Sequence, residues 1–213
     1  MSAVAETSPE RAWWLRALLV FQAPTAVFAA LRKKDERDVD ARAEPLVAIG
    51  MLAGIASVLW SSPAGTFLDD PGGGVTAVAA WAVFGGAIYG GAVIWAGGLL
   101  LHLVARRLGS LGSYQRSRQV VGFALAPLAL SLFAIWPPML ALYGDDVFRA
   151  GGTDAGAAGA RLLLSLWIAS GVWSLALLLI GVRAVHGWTW ARAAGTVALT
   201  LTLPALIVAA SLL

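Results

Sequence analysis

The sequence predicts an all-α membrane protein with five transmembrane helices, preceded by an interfacial N-terminal helix. Three observations favour this fold class. Only 13% of the 213 residues are charged, whereas soluble domains have about 25%. The mean hydropathy is +0.78. Several long segments are almost free of charge, and a helix of about 20 apolar residues is long enough to cross a bilayer core of about 30 Å.

The predicted spans are residues 45–60, 75–105, 120–143, 162–182 and 190–213. Together they form a predicted membrane domain, residues 45–213, which follows an N-terminal cytoplasmic segment, residues 1–44. The first span is short but uncharged. The second has about 31 residues and would form a helix about 46 Å long, so we expect it to tilt, bend or project beyond the membrane.

The distribution of basic residues predicts the orientation. Thirteen of the fifteen lie before the first span, between the second and third, or between the fourth and fifth. The positive-inside rule assigns these regions to the cytoplasm. We therefore expect a protein of the plasma membrane with a cytoplasmic N-terminus and its C-terminus outside. The net charge of +3 is read as this topology signal, and no nucleic-acid partner is expected.

Residues 12–31 form another apolar stretch, for which two interpretations stay open. An arginine at a helix centre costs about 2.5–3.5 kcal/mol on insertion scales, and Pro24 would break the hydrogen bonding of a helix in lipid. We therefore predict an interfacial helix, with Trp13 and Trp14 at headgroup level. Arg16 lies near one end of the stretch, so a sixth span is the alternative.

Small residues and prolines predict how the helices pack. Gly50 and Gly54 in the first span, and Gly86 and Gly90 in the second, have the G-x-x-x-G spacing. Small residues let helix backbones approach closely in lipid. Packing within one monomer is the favoured interpretation, and a dimer face is the alternative. Pro127 predicts a helix end or a packing bend, in preference to a transporter binding site.

The sequence contains no recognisable catalytic motif. H-E-x-x-H, G-x-S-x-G and phosphate-loop patterns are missing, and there is no cysteine. His102 is interpreted as an interfacial polar residue, with a proton-sensitive group or a lipid-headgroup contact as the alternative. His186 lies beside Trp188 and Trp190, which are typical interface anchors. Pairs of aspartates in the outer loops are interpreted as solvated charge. We expect no catalytic residue, metal or cofactor.

Charged residues avoid the central part of every predicted span. Their absence argues against an ion-coupled transporter or a proton channel. The basic residues of the predicted cytoplasmic loops could instead recruit anionic lipid headgroups at about 1 kcal/mol each, or could serve only to fix the topology. The candidate lipid- or partner-binding residues are Arg106, Arg107, Tyr114, Arg116, Arg118 and His186.

The chain resembles the bacterial branch of the Yip1-domain family over most of residues 15–200. Four sets of residues carry the resemblance, in the family's order. They are Pro24, Phe28 and Leu31 before the first span; Gly112, Ser113 and Tyr114 in the cytoplasmic loop; Phe123, Ala124 and Pro127 at the start of the third span; and Trp173, Leu175 and Gly181, followed by Arg192 and Ala193. A tyrosine is commoner in the family at the position of Phe123.

The resemblance implies five helices, a cytoplasmic N-terminus and no known catalytic activity. Eukaryotic members associate with Rab GTPases in vesicle traffic, a role that we do not transfer to a bacterial chain. We expect a non-enzymatic multi-pass membrane protein that binds membrane lipids, copies of itself or another membrane protein. The alternative is a permease, or a transporter component, for a small neutral or lipidic solute.

Overall fold

The computed structural model describes residues 19–32, 43–70 and 73–211. Throughout these ranges the regular secondary structure is helical. The helices are α1 (Pro24–Arg32), α2 (Ala43–Leu59), α3 (Val75–Arg107), α4 (Tyr114–Ala124), α5 (Ala126–Ala134), α6 (Trp136–Tyr143), α7 (Ala157–His186) and α8 (Trp190–Ser211). Short helical turns occupy Ser62–Gly65, Phe67–Asp69, Gly144–Phe148 and Asp154–Gly156.

Three helical segments within the described ranges are long and apolar enough to cross a membrane. They are Val75–Arg107, Tyr114–Phe148 and Ala157–His186. Pro45–Leu59 is apolar but shorter. The helical architecture with apolar helices of spanning length confirms the predicted fold class at this level. The count of five spans and the interfacial helix stay predictions.

The third predicted span begins earlier than residue 120. Residues 114–119, which the sequence placed in a loop, are the first turns of α4. Ser113 has an extended backbone and precedes the helix, and the Gln and Arg residues that follow favour a helix almost as well as leucine does. The polar composition had suggested a loop, but a helix can continue beyond the hydrocarbon core.

Prolines divide this span into three helices. Leu125 separates α4 from α5, and Ile135 separates α5 from α6. Pro127 lies in the first turn of α5, and Pro137 and Pro138 lie in the first turn of α6. A proline has no N–H and is best tolerated in the first turn of a helix. Pro127 therefore lies at the start of α5.

Glycines hold α2 against α3. A methyl group added to Gly54 would overlap the carbonyl oxygen of Gly86 and lie 2.6 Å from the amide nitrogen of Gly90. One added to Gly90 would overlap the carbonyl of Gly50. All four glycines of the two G-x-x-x-G pairs thus lie at one contact inside the monomer, where the two backbones touch.

The largest core cluster includes residues from the N-terminal part of the chain. Val20 and Phe28 are fully buried, and Leu31 is nearly so. The chain is helical over residues 19–22, is interrupted at Ala23, and resumes at Pro24. The part of the predicted interfacial helix that is described therefore packs on the bundle, while residues 12–18 lie outside the described ranges.

Candidate functional site

The two ends of the bundle differ in charge. We call one the basic end; it comprises the last turns of α1, α3 and α7, the first turns of α4 and α8, and the loop of residues 108–113. Its arginines are Arg32, Arg106, Arg107, Arg116, Arg118, Arg183 and Arg192. All five carboxylate side chains that the structure describes lie at the other end, which we call the acidic end: Asp69, Asp70, Asp145, Asp146 and Asp154.

The loop of residues 108–113 is tied to α7 and α8. The Ser110 hydroxyl oxygen lies 2.8 Å from Nδ1 of His186, and it accepts a hydrogen bond of 2.9 Å from the amide of Gly112. Arg192 donates a hydrogen bond to the carbonyl oxygen of Leu108. Gly109 has a φ of +83°, a left-handed conformation that favours glycine. His186 thus fixes the shape of the loop.

Two arginines of the basic end lie over tryptophan rings. The guanidinium carbon of Arg183 is 4.5 Å from the ring centroid of Trp190, and that of Arg192 is 4.3 Å from the ring centroid of Trp188. The His186 ring stacks on the Trp188 indole, with the ring centroids 4.6 Å apart. Each cation–π contact contributes about 0.5–1 kcal/mol at an exposed site. The contacts hold both positive charges in place while leaving them charged.

Arg106 and Arg107 end α3 and are exposed. No ion pair involves either of them in the described part of the chain. Both lie at the carboxyl end of a helix of 33 residues, where the helix dipole favours positive charge. Leu111, in the next loop, is 103% exposed. These three side chains are exposed at the basic end, as are those of Arg32 and Arg192.

Tyr114 and Arg118 are joined to each other and to α3. The guanidinium carbon of Arg118 lies 5.8 Å from the Tyr114 ring centroid. The tyrosine hydroxyl donates a hydrogen bond of 3.2 Å to the carbonyl of Trp95, and its ring meets His102 edge-on at 6.2 Å. Arg116 is half-buried, and its charge acts on the His186 ring. The six candidate residues therefore all lie at the basic end, but among them only Arg106 and Arg107 have exposed side chains.

Two of the five carboxylates at the acidic end are paired with an arginine, so this end remains negatively charged. Arg149 lies 3.5 Å from a carboxylate oxygen of Asp145 and 3.6 Å from one of Asp146. Asp69 accepts a hydrogen bond of 3.0 Å from the amide of Ala150. No group of three or more His, Cys, Asp or Glu side chains that could hold a metal occurs among the residues described.

An apolar groove runs between α5 and α7. It has a volume of about 320 Å³. Pro127, Ser131 and Ala134 form one side, and Ala169 and Trp173 are on the other. One end of the groove lies next to an aromatic cluster at the acidic end, in which the Trp60 ring is 5.6 Å from Trp136 and 5.5 Å from Trp167.

Comparison with models of protein families identifies the family of this chain. The model of the Yip1 domain matches residues 18–212. The chain belongs to the Yip1 domain family. The resemblance inferred from the sequence motifs is thus confirmed at family level. Comparisons with curated proteins and with solved structures give no match.

Three motif positions of the Yip1 domain meet in the core. The rings of Phe28 and Phe123 pack edge to face, with centroids 6.5 Å apart and planes at 82°. A methyl group on Gly181 would lie 3.0 Å from the Phe28 ring and 2.8 Å from Val120. The motif residues at these positions therefore join α1, α4 and α7, so their role in this Yip1-domain protein is packing.

Sequence reasoning missed several residues of the basic end. Neither Arg183 nor Arg192 was predicted to bind a lipid or a partner, although the stretch RAVHGWTWAR combines basic and aromatic residues. Leu111 is the lone apolar residue in the run GSLGS, a signal of exposure. The partner of His186, Ser110, is 76 residues away, and no local pattern indicates it.

Proposed function

We propose that this Yip1-domain protein is a non-enzymatic, multi-pass membrane protein that binds anionic lipid headgroups at its basic end. The observation that carries the proposal is the separation of charge between the two ends. Arg106 and Arg107 are exposed there, and Arg183 and Arg192 are held in place by tryptophans. Membrane-adjacent arginines attract anionic headgroups at about 1 kcal/mol each.

The charge balance of the whole chain supports this assignment. The predicted cytoplasmic side contains thirteen of the fifteen basic residues and seven of the twelve acidic residues. Its net charge is positive even when the acidic residues of the N-terminal segment are counted. The cytoplasmic leaflet of a membrane has the negative surface potential that such a surface would meet.

The proposed topology has five spans: α2, α3, the α4–α6 segment, α7 and α8. Helix α2 has 17 residues and would be accommodated by local thinning of the bilayer. The basic end would face the cytoplasm of a bacterium, with the protein in the plasma membrane. The positive-inside rule and the family's layout support this orientation.

The proposal that the protein is not an enzyme is supported by the contacts of three residues with acid–base capacity at the basic end. His186 serves a loop contact with Ser110. Tyr114 is bonded to the backbone of α3, and the ring of His102 packs edge-on against Tyr114.

Charge-matched double variants test lipid binding. Full-length protein with R106Q and R107Q is compared with protein carrying R149Q and R161Q, which removes the same charge from the acidic end. Both are placed in vesicles of phosphatidylglycerol and phosphatidylcholine, and the lipids retained on release are counted by native mass spectrometry. We expect the first variant to lose selective phosphatidylglycerol retention about tenfold or more, and the second to keep it.

Equal retention by both variants would contradict the lipid assignment. So would a second protein, bound to the unmodified chain at the expense of lipid and lost from the R106Q, R107Q variant, because the basic end would then be a protein-binding surface. Circular dichroism shows whether each variant keeps its helical content, so that unfolding is recognised.

A permease for a small apolar or lipidic solute is the second candidate function. The groove between α5 and α7 favours it, since its walls are mostly apolar. Uptake of an apolar dye or a labelled lipid into protein-containing liposomes, above that of empty liposomes, would support a permease. Uptake equal to that of empty liposomes would argue for a static binding protein.

A further inference from the structure

The geometry points to a specific site for one acyl chain of a membrane phospholipid, in the groove between α5 and α7. This inference is independent of the basic end, because the groove is formed by other residues. The groove has a volume of about 320 Å³. Both helices belong to segments that are long and apolar enough to cross a membrane.

The hydroxyl protons of the two serines in the groove are already donated within their own helices. The Ser131 hydroxyl donates a hydrogen bond of 2.6 Å to the carbonyl of Leu128. The Ser170 hydroxyl donates one of 2.9 Å to the carbonyl of Leu166. The other lining side chains are hydrocarbon apart from the indole N–H of Trp173. A polar solute would lose most of its hydrogen bonds to water for few side-chain partners here, whereas a hydrocarbon chain has none to lose.

Small residues create the depth of the groove. Ser131 is 2% exposed and lies at the bottom, and Ala134 and Ala169 leave room on the two sides. The rims are larger side chains, with Leu130 48% and Trp173 41% exposed. The groove is therefore open on the outer surface of the helices. In a membrane, this surface contacts lipid acyl chains.

The depth of the groove in the bilayer favours an acyl chain over a headgroup. Ile135 and Leu166 line one end, and their chain neighbours Trp136 and Trp167 belong to the aromatic cluster. Tryptophans concentrate at the membrane interface. From Leu166 to Trp173, α7 rises about 10 Å, so the groove extends from the interface into the hydrocarbon.

The size of the groove also selects against a helix from a second copy. An α-helix with its side chains is about 10–12 Å across. The groove has two alanines on its sides and a volume of about 320 Å³. It therefore accommodates a single extended hydrocarbon chain more readily than an α-helix.

A photoactivatable phospholipid tests the site. Full-length protein is placed in phosphatidylethanolamine and phosphatidylglycerol vesicles that contain a little phosphatidylcholine with a diazirine in the middle of one acyl chain. After irradiation, labelled peptides are mapped by mass spectrometry. We expect labelling concentrated at Leu130, Ala134, Ala169 and Trp173, above that at Val172, which is 63% exposed but is not part of the groove.

Filling the groove should remove the label. In the Ala169→Phe variant we expect labelling of α5 to fall about tenfold, the factor expected when about two methylene groups lose their buried contacts. Val172→Phe, three residues along α7, should leave it unchanged. If Ala169→Phe loses helical content, Ala134→Phe fills the same groove from α5, with Leu142→Phe as the exposed control.

Labelling that simply follows exposure around the bundle would overturn the proposal. Labelling of α5 that survives both filled variants would do the same. A native mass of two chains that becomes one chain in Ala169→Phe would show that a second copy, instead of a lipid chain, occupies the groove.

Discussion

The imidazole Nδ1 of His186 lies 2.8 Å from the hydroxyl oxygen of Ser110. The same hydroxyl receives the amide proton of Gly112. The last turn of α7 therefore determines the shape of the loop that follows α3, and with it the direction in which Leu111 points. One polar contact at the basic end thus joins α7 to the loop between α3 and α4.

Loss of the Ser110 hydroxyl should loosen this loop. Ser110→Ala removes two hydrogen bonds, each contributing about 0.5–1.5 kcal/mol. We expect amide exchange in residues 108–113 to become about tenfold faster, as measured by hydrogen-exchange mass spectrometry. Ser165→Ala is the matched control, because that exposed hydroxyl bonds only to its own helix. Unchanged exchange in the loop would show that the contact with His186 does not hold it.

The close packing of α2 on α3 predicts that a glycine-to-alanine change lowers stability at this contact and does not lower it at an open position in α8. Gly54→Ala would force the two backbones apart, and overpacking of this kind costs about 1–3 kcal/mol. Gly195, in α8, has open space around it, and an alanine there gains helix propensity of up to about 1 kcal/mol. Thermal unfolding in mild detergent should show a lower Tm for the first variant and an equal or higher Tm for the second.

A dimer role for these glycines makes a different prediction. If the G-x-x-x-G pairs joined two chains, Gly54→Ala would change the native mass and leave the monomer's Tm as it was. That pattern would contradict the intramolecular contact.

Phe28 should be essential for docking the N-terminal part of the chain. It is fully buried, and a buried Phe→Ala change costs about 3–5 kcal/mol. We expect Phe28→Ala to lower the Tm strongly and to expose the sites near residue 32 to protease. Phe133→Ala, at a position that is 61% exposed, should have little effect. Equal stability of the two variants would mean that α1 does not depend on its contact with Phe123.

The orientation can be tested cleanly because the chain has no cysteine. Single cysteines are placed at Leu111, at the basic end, and at Ala150, at the acidic end. A membrane-impermeant maleimide should label Ala150→Cys in intact cells and Leu111→Cys only after permeabilisation. The reverse pattern would invert the proposed topology, and labelling of both from one side would show that Tyr114–Phe148 does not span.

Much of the helical layout could be predicted because hydropathy, and the glycines and prolines that end helices, can be read from short stretches of sequence. Helix α3 begins at Val75 and α8 begins at Trp190, as the sequence indicated. The start of α4 was misplaced, since its polar first turns carry no apolar signal although they are helical. Hydropathy reports the part of a helix that suits lipid, and a helix can be longer than that part.

The candidate site was only partly predictable. The arginines were visible as topology signals, but their partners depend on how the helix ends assemble. The contacts of Arg183 with Trp190 and of Arg192 with Trp188 lie within one ten-residue stretch, whose basic and aromatic residues are a local signal. The contact of His186 with Ser110 crosses two spans and is set by tertiary packing, so the sequence contains no local record of it.

The central claim is that the basic end binds anionic lipid, and the salt dependence of lipid selection tests it most directly. The unmodified full-length chain is equilibrated in vesicles containing phosphatidylglycerol and phosphatidylcholine in equal amounts, and retained lipids are counted by native mass spectrometry. The Debye length falls from about 10 Å at 0.1 M salt to about 3 Å at 1 M. We predict a preference for phosphatidylglycerol at low salt that weakens at high salt. Equal retention of the two lipids at both salt concentrations would contradict the claim.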